Sequence, residues 1–383
     1  MDPFRPGGDP IMILCANPSA GVQKHRKEID SAIRGVIDGG RYILGEEVLG
    51  FEREFAAYCG SKEAVGVSSG TDGLVLALMA LGIRPGDEVI TVSHTAVATV
   101  SAIAQAGASP VLIDIDSQTY TMNPALLEQA VGPRTKAIIP VHLYGHPVSM
   151  EGVMEVAAQH GISVIEDCSQ AHGALWRGKR VGTIGAMGVF SCYPTKNLGG
   201  IGDGGVVVTS DSALAIRLRE LREYGWRDRY NSAIHGVNSR LDELQAAILR
   251  VRLDYLDEDN QSRRDLAKRY TSKLGDLPIR LPLAADDVEV VQHLYVIELD
   301  DRDRIQRLLA EQGINCIVHY PFPVHLQDGY RNLSRCPESL SNTEHASKRV
   351  LSLPIYPELT LPEQDQVIRS LKEVLGKEKA SPV

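Results

Sequence analysis

The stretch Ser191-Cys192-Tyr193-Pro194-Thr195-Lys196-Asn197-Leu198-Gly199-Gly200 carries a hydroxyl, a lysine five residues later and then glycines. It follows directly on the apolar run Ala186-Met187-Gly188-Val189-Phe190, so the lysine is expected on a loop leaving a strand. An amine held there can condense with a carbonyl to a Schiff base, and neighbouring hydroxyls can hold a phosphate. Alone the spacing is weak, because many Ser-x-x-x-x-Lys stretches are solvated loops. Three further stretches supply what such a lysine lacks.

Asp167 ends the strand-like run Ser163-Val164-Ile165-Glu166. A carboxylate there can keep a ring nitrogen protonated so that the ring accepts electrons, whereas Glu166 points to the opposite face and reads as structural. The bland alternative for Asp167 is a helix N-cap, given the Ser169-Gln170 that follows. Gln170 can donate to a phenolic oxygen or be an ordinary solvated residue. Ser68-Ser69-Gly70-Thr71-Asp72-Gly73 lies between Ala64–Val67 and an apolar helix, which suits either a phosphate cup or an ordinary cap. Asn238-Ser239-Arg240 opens a long helix and by itself reads as a cap with a solvated arginine. A lysine, a ring-nitrogen carboxylate and phosphate-holding hydroxyls together describe a site for pyridoxal 5'-phosphate (PLP).

The elements that must position these residues form an alternating pattern. Strand-like runs are expected at Ala64–Val67, Glu88–Val92, Pro110–Ile115, Ala137–Val141, Ser163–Ile165, Gly188–Ser191 and Val206–Thr209. Helical segments such as Gly73–Leu81, Val97–Ala106, Pro124–Ala130 and Met150–His160 separate them. This predicts an α/β doubly wound domain with a mostly parallel sheet, whose ligands sit at the carboxyl ends of the strands. Arg240–Lys273 reads as one long helix with Leu241, Leu244, Ala247, Ile248, Val251 and Tyr255 inward. Beyond Pro278 a smaller α+β unit is expected: a strand at His293–Leu299, a helix at Arg302–Glu311, a strand near Asn315–Val318 and a final helix at Pro362–Leu375. The domain reading is an arm or leader over 1–20, a large domain over 21–250 and a small one over 251–383.

The chain has 383 residues, with 43% hydrophobic and 23% charged, as in ordinary globular proteins. A net charge of -9 gives no nucleic-acid or anionic-membrane surface, so an anionic substrate must meet local basic groups. The apolar stretches are strand-sized, which predicts no membrane-spanning helix. Six scattered cysteines without C-x-x-C pairs argue against a disulfide framework or a metal site and suit a reducing cytoplasm. Residues 1–11 are Pro- and Gly-rich and read as a leader ahead of Met12.

In order along the chain, Val67-Ser68-Ser69-Gly70-Thr71-Asp72-Gly73-Leu74, Glu166-Asp167-Cys168-Ser169-Gln170-Ala171-His172-Gly173-Ala174, Tyr193-Pro194-Thr195-Lys196-Asn197-Leu198, Gly202-Asp203-Gly204-Gly205 and His319-Tyr320-Pro321 resemble the DegT/DnrJ/StrS family of sugar-nucleotide aminotransferases. The resemblance runs from Gly39-Gly40-Arg41 to the last helix. It implies the type I PLP-transferase fold: a large domain with a mixed, mostly parallel seven-stranded sheet plus a smaller C-terminal α+β domain. It further implies that Lys196 attaches the cofactor and shuttles the proton, Asp167 pairs with the ring nitrogen and Gln170 meets the ring oxygen. Gly70, Thr71 and Ser191 are then expected at the phosphate. Asn238 is expected there from the neighbouring subunit of an obligate homodimer. The family usually places a bulky aromatic after the threonine of its Thr-x-x-Ala-Thr stretch, to stack on the cofactor ring. Here Thr95 is followed by Ala96, and His94 is expected either to supply the flat face or to be a surface or turn histidine.

The implied reaction takes an amino group from an amino acid, typically L-glutamate, to a nucleotide-linked keto-sugar, with pyridoxamine phosphate as the alternate cofactor form. Tyr193, His172, His319 and Tyr320 are the candidates for reading the sugar, and Arg227, Arg229 and Tyr230 those for the diphosphate, the alternative being a solvated basic loop. The stretch His94–Thr99 with Gln170-Ala171-His172 looks most like members that aminate C3 of a dTDP-linked 3-keto-6-deoxyhexose. C4 amination, a UDP or GDP carrier and a keto-inositol stay open. A sugar dehydratase of the same fold replaces the lysine by histidine, which Lys196 argues against. A regulatory protein that kept the fold without catalysis has no reason to retain Lys196, Asp167 and Ser191 together.

Overall fold

The computed structural model describes residues 12–283 and 286–376. The leader read at 1–11 lies outside the described residues. Seven strands form the central sheet: Glu63–Val67 (β1), Glu88–Val92 (β2), Ser109–Ile113 (β3), Thr135–Ile138 (β4), Ser163–Asp167 (β5), Met187–Ser191 (β6) and Gly205–Thr209 (β7). Their spatial order is β1-β7-β6-β5-β4-β2-β3. All neighbours are parallel except at β7, which runs antiparallel to both β1 and β6.

Strand residues alternate between two cores, which is why nearly continuous apolar runs form this sheet. Val207 and Val189 pack with the helices Gly70–Ala80 (α1), Val97–Gln105 (α2) and Ser212–Leu221 (α3) on one face. Val206, Val208 and Phe190 pack on the other face against Phe51, Phe55 and Leu249. The sheet is thereby a rigid platform, and its carboxyl edge carries the loops that hold the chemistry.

The expected helix over Arg240–Lys273 is two helices, Glu243–Leu253 (α4) and Leu256–Leu274 (α5). They part at Tyr255, whose ring stacks on His25 with centroids 3.8 Å apart. Leu244, expected inward, is exposed, as are Tyr42, Ile43 and Leu49. The C-terminal unit pairs Tyr295–Glu298 (β8) with Val350–Leu353 (β9) antiparallel, packed with α5, Arg302–Glu311 (α6) and Leu361–Gly376 (α7). The strand expected near Asn315–Val318 is reduced to isolated pairings, Ile314 with Ile13 and Ile317 with Ser352. Ile13 donates to the Gly313 carbonyl at 2.8 Å, so the start of the described chain is stitched to the C-terminal unit. Among the described residues no helix is long and apolar enough to cross a membrane.

Candidate active site

A cavity of ≈ 210 Å³ opens outside the carboxyl ends of β1, β2, β5 and β6. Its walls include Gly70, Thr71, Thr95, Ala96, Asp167, Gln170, Ser191, Tyr193 and Lys196, so four loops distant in sequence meet there. Two turns present the lysine: its own N–H donates to the Tyr193 carbonyl, and the Gly200 N–H donates to that of Cys192, each at 2.8 Å. Burial pulls the Lys196 pKa down to about 8, with the nearby Asp167 carboxylate working the other way. An amine so placed holds an appreciable unprotonated fraction near neutrality, the form that attacks a carbonyl.

Asp167 is buried and held on both oxygens. Oδ2 accepts from the Thr99 hydroxyl at 2.8 Å and Oδ1 from the Ser169 N–H at 3.1 Å. The hydroxyl of Thr99 has one proton, already given to the carboxylate, so in its 3.1 Å contact with Thr95 it is Thr95 that donates. Thr99, on α2, is a supporting residue that sequence reading passed over. Its one visible sign is the four-residue spacing from Thr95, which lies just ahead of α2.

Gln170 is oriented as firmly. Its Oε1 accepts from the Tyr144 N–H at 2.7 Å, and its Nε2 donates to the Tyr320 hydroxyl at 2.9 Å, leaving one N–H of the amide. On the same cavity wall α1 starts at Gly70, capped by Ser69, whose hydroxyl accepts from the Asp72 N–H at 3.1 Å. A Cβ on Gly70 would stand 2.7 Å from Cβ of Ser191. Only glycine lets the helix N-terminus close against that serine. The cradle of free N–H groups, a hydroxyl and the positive helix end suits a phosphate. The donor set fits PLP: a phosphate cradle, an amine and a buried, fixed carboxylate line one cavity.

Several expected residues lie elsewhere. His94 is not on the cavity wall. It is fully buried, edge-on to Tyr144 with centroids 6.0 Å apart, and its Nε2 lies 2.8 Å from that phenol. The Tyr144 hydroxyl donates to the His319 carbonyl, so His94 must donate to it; burial draws the histidine pKa down to about 4. The turn after β2 sends Thr95 and Ala96 to the cavity and His94 into the core, so the stacking role expected of it is corrected. His172 is also fully buried, with its ring 5.3 Å from that of Phe190, and does not reach the cavity to read a sugar. His319 turns its Nδ1 to the Ser352 hydroxyl at 2.9 Å, and Tyr320 contributes through Gln170. Tyr193 is exposed at the mouth. Arg227 and Arg229 stand on the exposed hairpin Trp226–Asp228/Asn231–Ser232, and Asn238 is exposed; none of the three lines this cavity.

His142, Glu166 and Cys168 bring three possible ligand atoms within 4.8 Å of one another. Glu166 is spent on other partners. Its oxygens accept from the N–H groups of Gly182, Ile184 and Gly185, each at 2.7 Å, and contact His142 at 3.1 Å.

Residues 23–372 match the DegT/DnrJ/EryC1/StrS aminotransferase family. The chain belongs to this family. It is 49% identical to the dTDP-3-amino-3,4,6-trideoxy-alpha-D-glucose transaminase of Streptomyces venezuelae, over 92% of this chain and 94% of that protein. It is 47% identical to a Saccharopolyspora erythraea protein named erythromycin biosynthesis sensory transduction protein EryC1, over 91% and 95%. The crystal structure of S. venezuelae DesV in complex with a ketimine intermediate superposes with a TM-score of 0.93 at 47% identity, covering 96% of this chain and 99% of that one. The fold and reaction class expected from the motifs are those of this family: the protein is a PLP-dependent aminotransferase.

Proposed function

We propose that this aminotransferase moves the amino group of L-glutamate onto C3 of a dTDP-linked 3-keto-6-deoxyhexose, a step in deoxyaminosugar formation. The observation that carries the reading is the meeting of Lys196, Asp167 and the Gly70–Ser191 cradle in one cavity. The 49% identity to a dTDP-3-amino-sugar transaminase supports the choice of sugar and carbon. PLP, when bound, supplies the electron sink and carries nitrogen between the two substrates. The chain's own residues do the rest. Nζ of Lys196 attaches the cofactor and, once released, takes the proton from the nitrogen-bearing carbon and returns it. Asp167, braced by Thr99 and Ser169, holds a proton on the ring nitrogen, and the remaining amide N–H of Gln170 meets the ring oxygen. The N–H groups of Gly70 and Thr71 and the Ser191 hydroxyl hold the phosphate, while Tyr193 at the mouth contacts the sugar.

A homodimer completes the site in this reading. Tyr42, Ile43, Leu49 and Leu244 are apolar yet exposed, as expected of a face covered by a second copy. Asn238, Arg227 and Arg229 are exposed and away from their own cavity, which suits contributions to the partner's phosphate and diphosphate. The six cysteines are free, in keeping with a reducing cytoplasm. The retained lysine, carboxylate and cradle speak against a purely regulatory role of the kind the EryC1 name suggests.

The test follows the two half-reactions. L-Glutamate alone should bleach the visible band of the PLP-loaded enzyme and release 2-oxoglutarate in a single equivalent per site. A dTDP-3-keto-6-deoxyhexose should restore the band. Restoration by 4-keto sugars alone would sink the C3 assignment, and no 2-oxoglutarate would sink the donor.

A further inference from the structure

The residue after the lysine is held from behind by parts of the chain remote from the sheet. Asn197 is buried, and its Nδ2 donates to Oδ1 of Asn260 at 2.8 Å and to the Val291 carbonyl at 3.1 Å. Both amide protons are thereby used, so its Oδ1 can only accept, and it faces Nδ1 of His293 at 2.9 Å. That contact forces His293 into the tautomer protonated on Nδ1. Asn260 in turn donates through Nδ2 to the His172 carbonyl at 2.8 Å. Three residues earlier or later on one helix share a face, and Arg263 on α5 secures the same segment, donating to the carbonyls of Ile355 at 3.0 Å and His293 at 3.4 Å. No polar atom of Asn197 or Asn260 is left over, and the chain joins α5, the approach to β8 and the lysine loop.

We propose that Asn197, His293 and Asn260 form a clamp that fixes the Lys196 loop to the C-terminal unit, making His293 a positioning residue for amino transfer. The clamp rests on the role given to Lys196 above. Its logic is geometric: Nζ must reach both the cofactor and the carbon whose proton it moves, and small misplacements of a reacting group are costly. A donor on Nδ1 is what the clamp requires of position 293. An asparagine there offers an amide N–H at nearly the same place, whereas leucine fills the space without a donor. His293 stays neutral, because burial first, and then the charges of Lys196 and Arg263, hold its pKa well below the usual histidine range.

The test uses PLP-loaded, full-length protein. His293→Leu should lower kcat by roughly 10- to 100-fold while leaving KM for the keto-sugar within about twofold. It should also move the pH midpoint of the lysine-bound cofactor's visible band by about half a unit or more. His293→Asn should restore most of both. Asn197→Ala combined with His293→Leu should lose no more than the worse single variant, since the two act through one bond. Wild-type kcat and an unmoved midpoint in His293→Leu would overturn the clamp; so would additive losses, or a folded His293→Asn as poor as leucine. Should His293→Leu fail to fold, Asn260→Ala is read in the same way, with the same expected loss and shift. A wild-type protein that binds cofactor without releasing 2-oxoglutarate would overturn the assigned reaction, and the midpoint would still judge the clamp.

Discussion

Lys196 meets two opposing demands, since an amine that must be neutral to react is a charged group in the unfolded chain. Its folded pKa of about 8 lies below the ordinary 10.5, so between those values the unfolded chain binds more protons and stability rises with pH. Below pH 8 the burial of the charged amine is felt in full. Lys196→Met should therefore stabilise the cofactor-free protein at pH 7 by up to about 3 kcal/mol, a gap that narrows as pH approaches 10.5. Urea denaturation across that range checks it, and a pH-independent gap would contradict it. Thr99→Val removes one of the two bonds to the buried Asp167 and should cut kcat about tenfold with the fold intact, measured in steady-state turnover. At this scale the meeting of Lys196, Asp167, Gln170 and Ser191 in one cavity was legible because each sits in a local motif. Thr99 was not, since its partner lies 68 residues away. His94 misled because turn geometry, not spacing, decides which of His94, Thr95 and Ala96 faces the cavity.

The central strands were readable as elements because both faces are buried, which writes itself as short, unbroken apolar runs. The break between α4 and α5 was not readable. Periodicity continues through Asp254-Tyr255, and where the helices part the Tyr255 ring stacks on His25, far apart in the chain. The piece near Asn315–Val318 has strand-like composition but finds only single partners on either side. Leu244 follows the same lesson: its periodicity predicted burial, and it stands exposed. The start of α1 borders the cavity and has no room for an added methyl. Gly70→Ala puts a methyl 2.7 Å from Cβ of Ser191 and must push the helix N-terminus from the cradle. PLP affinity, followed by titrating the visible band, should fall about tenfold or more. An unchanged affinity would remove the phosphate from this cradle.

At the scale of the whole molecule, the two-unit layout places a rigid sheet edge opposite a C-terminal unit that reaches back to the lysine loop through His293 and Asn260. In the proposed homodimer the exposed apolar residues around α4 and the outward Asn238 would face the second copy. Complementation makes this measurable. Lys196→Ala and Asn238→Asp should each be inactive alone, the second because a carboxylate repels phosphate. Unfolded together and refolded as an equal mixture, they should recover about a quarter of wild-type activity, because half the dimers are mixed and each of those keeps one intact site. If Asn238 serves its own subunit's site, no intact site forms and nothing is recovered.

The most direct measurement of the central claim follows the nitrogen itself. The PLP-loaded enzyme is given ¹⁵N-labelled L-glutamate together with dTDP-linked 3-keto- and 4-keto-6-deoxyhexoses in one vessel, and the sugar products are read by NMR. Label bonded to C3 of a dTDP-sugar, with an equal amount of 2-oxoglutarate, is the expected result. Label at C4, or glutamate left whole beside an unchanged sugar, would contradict it.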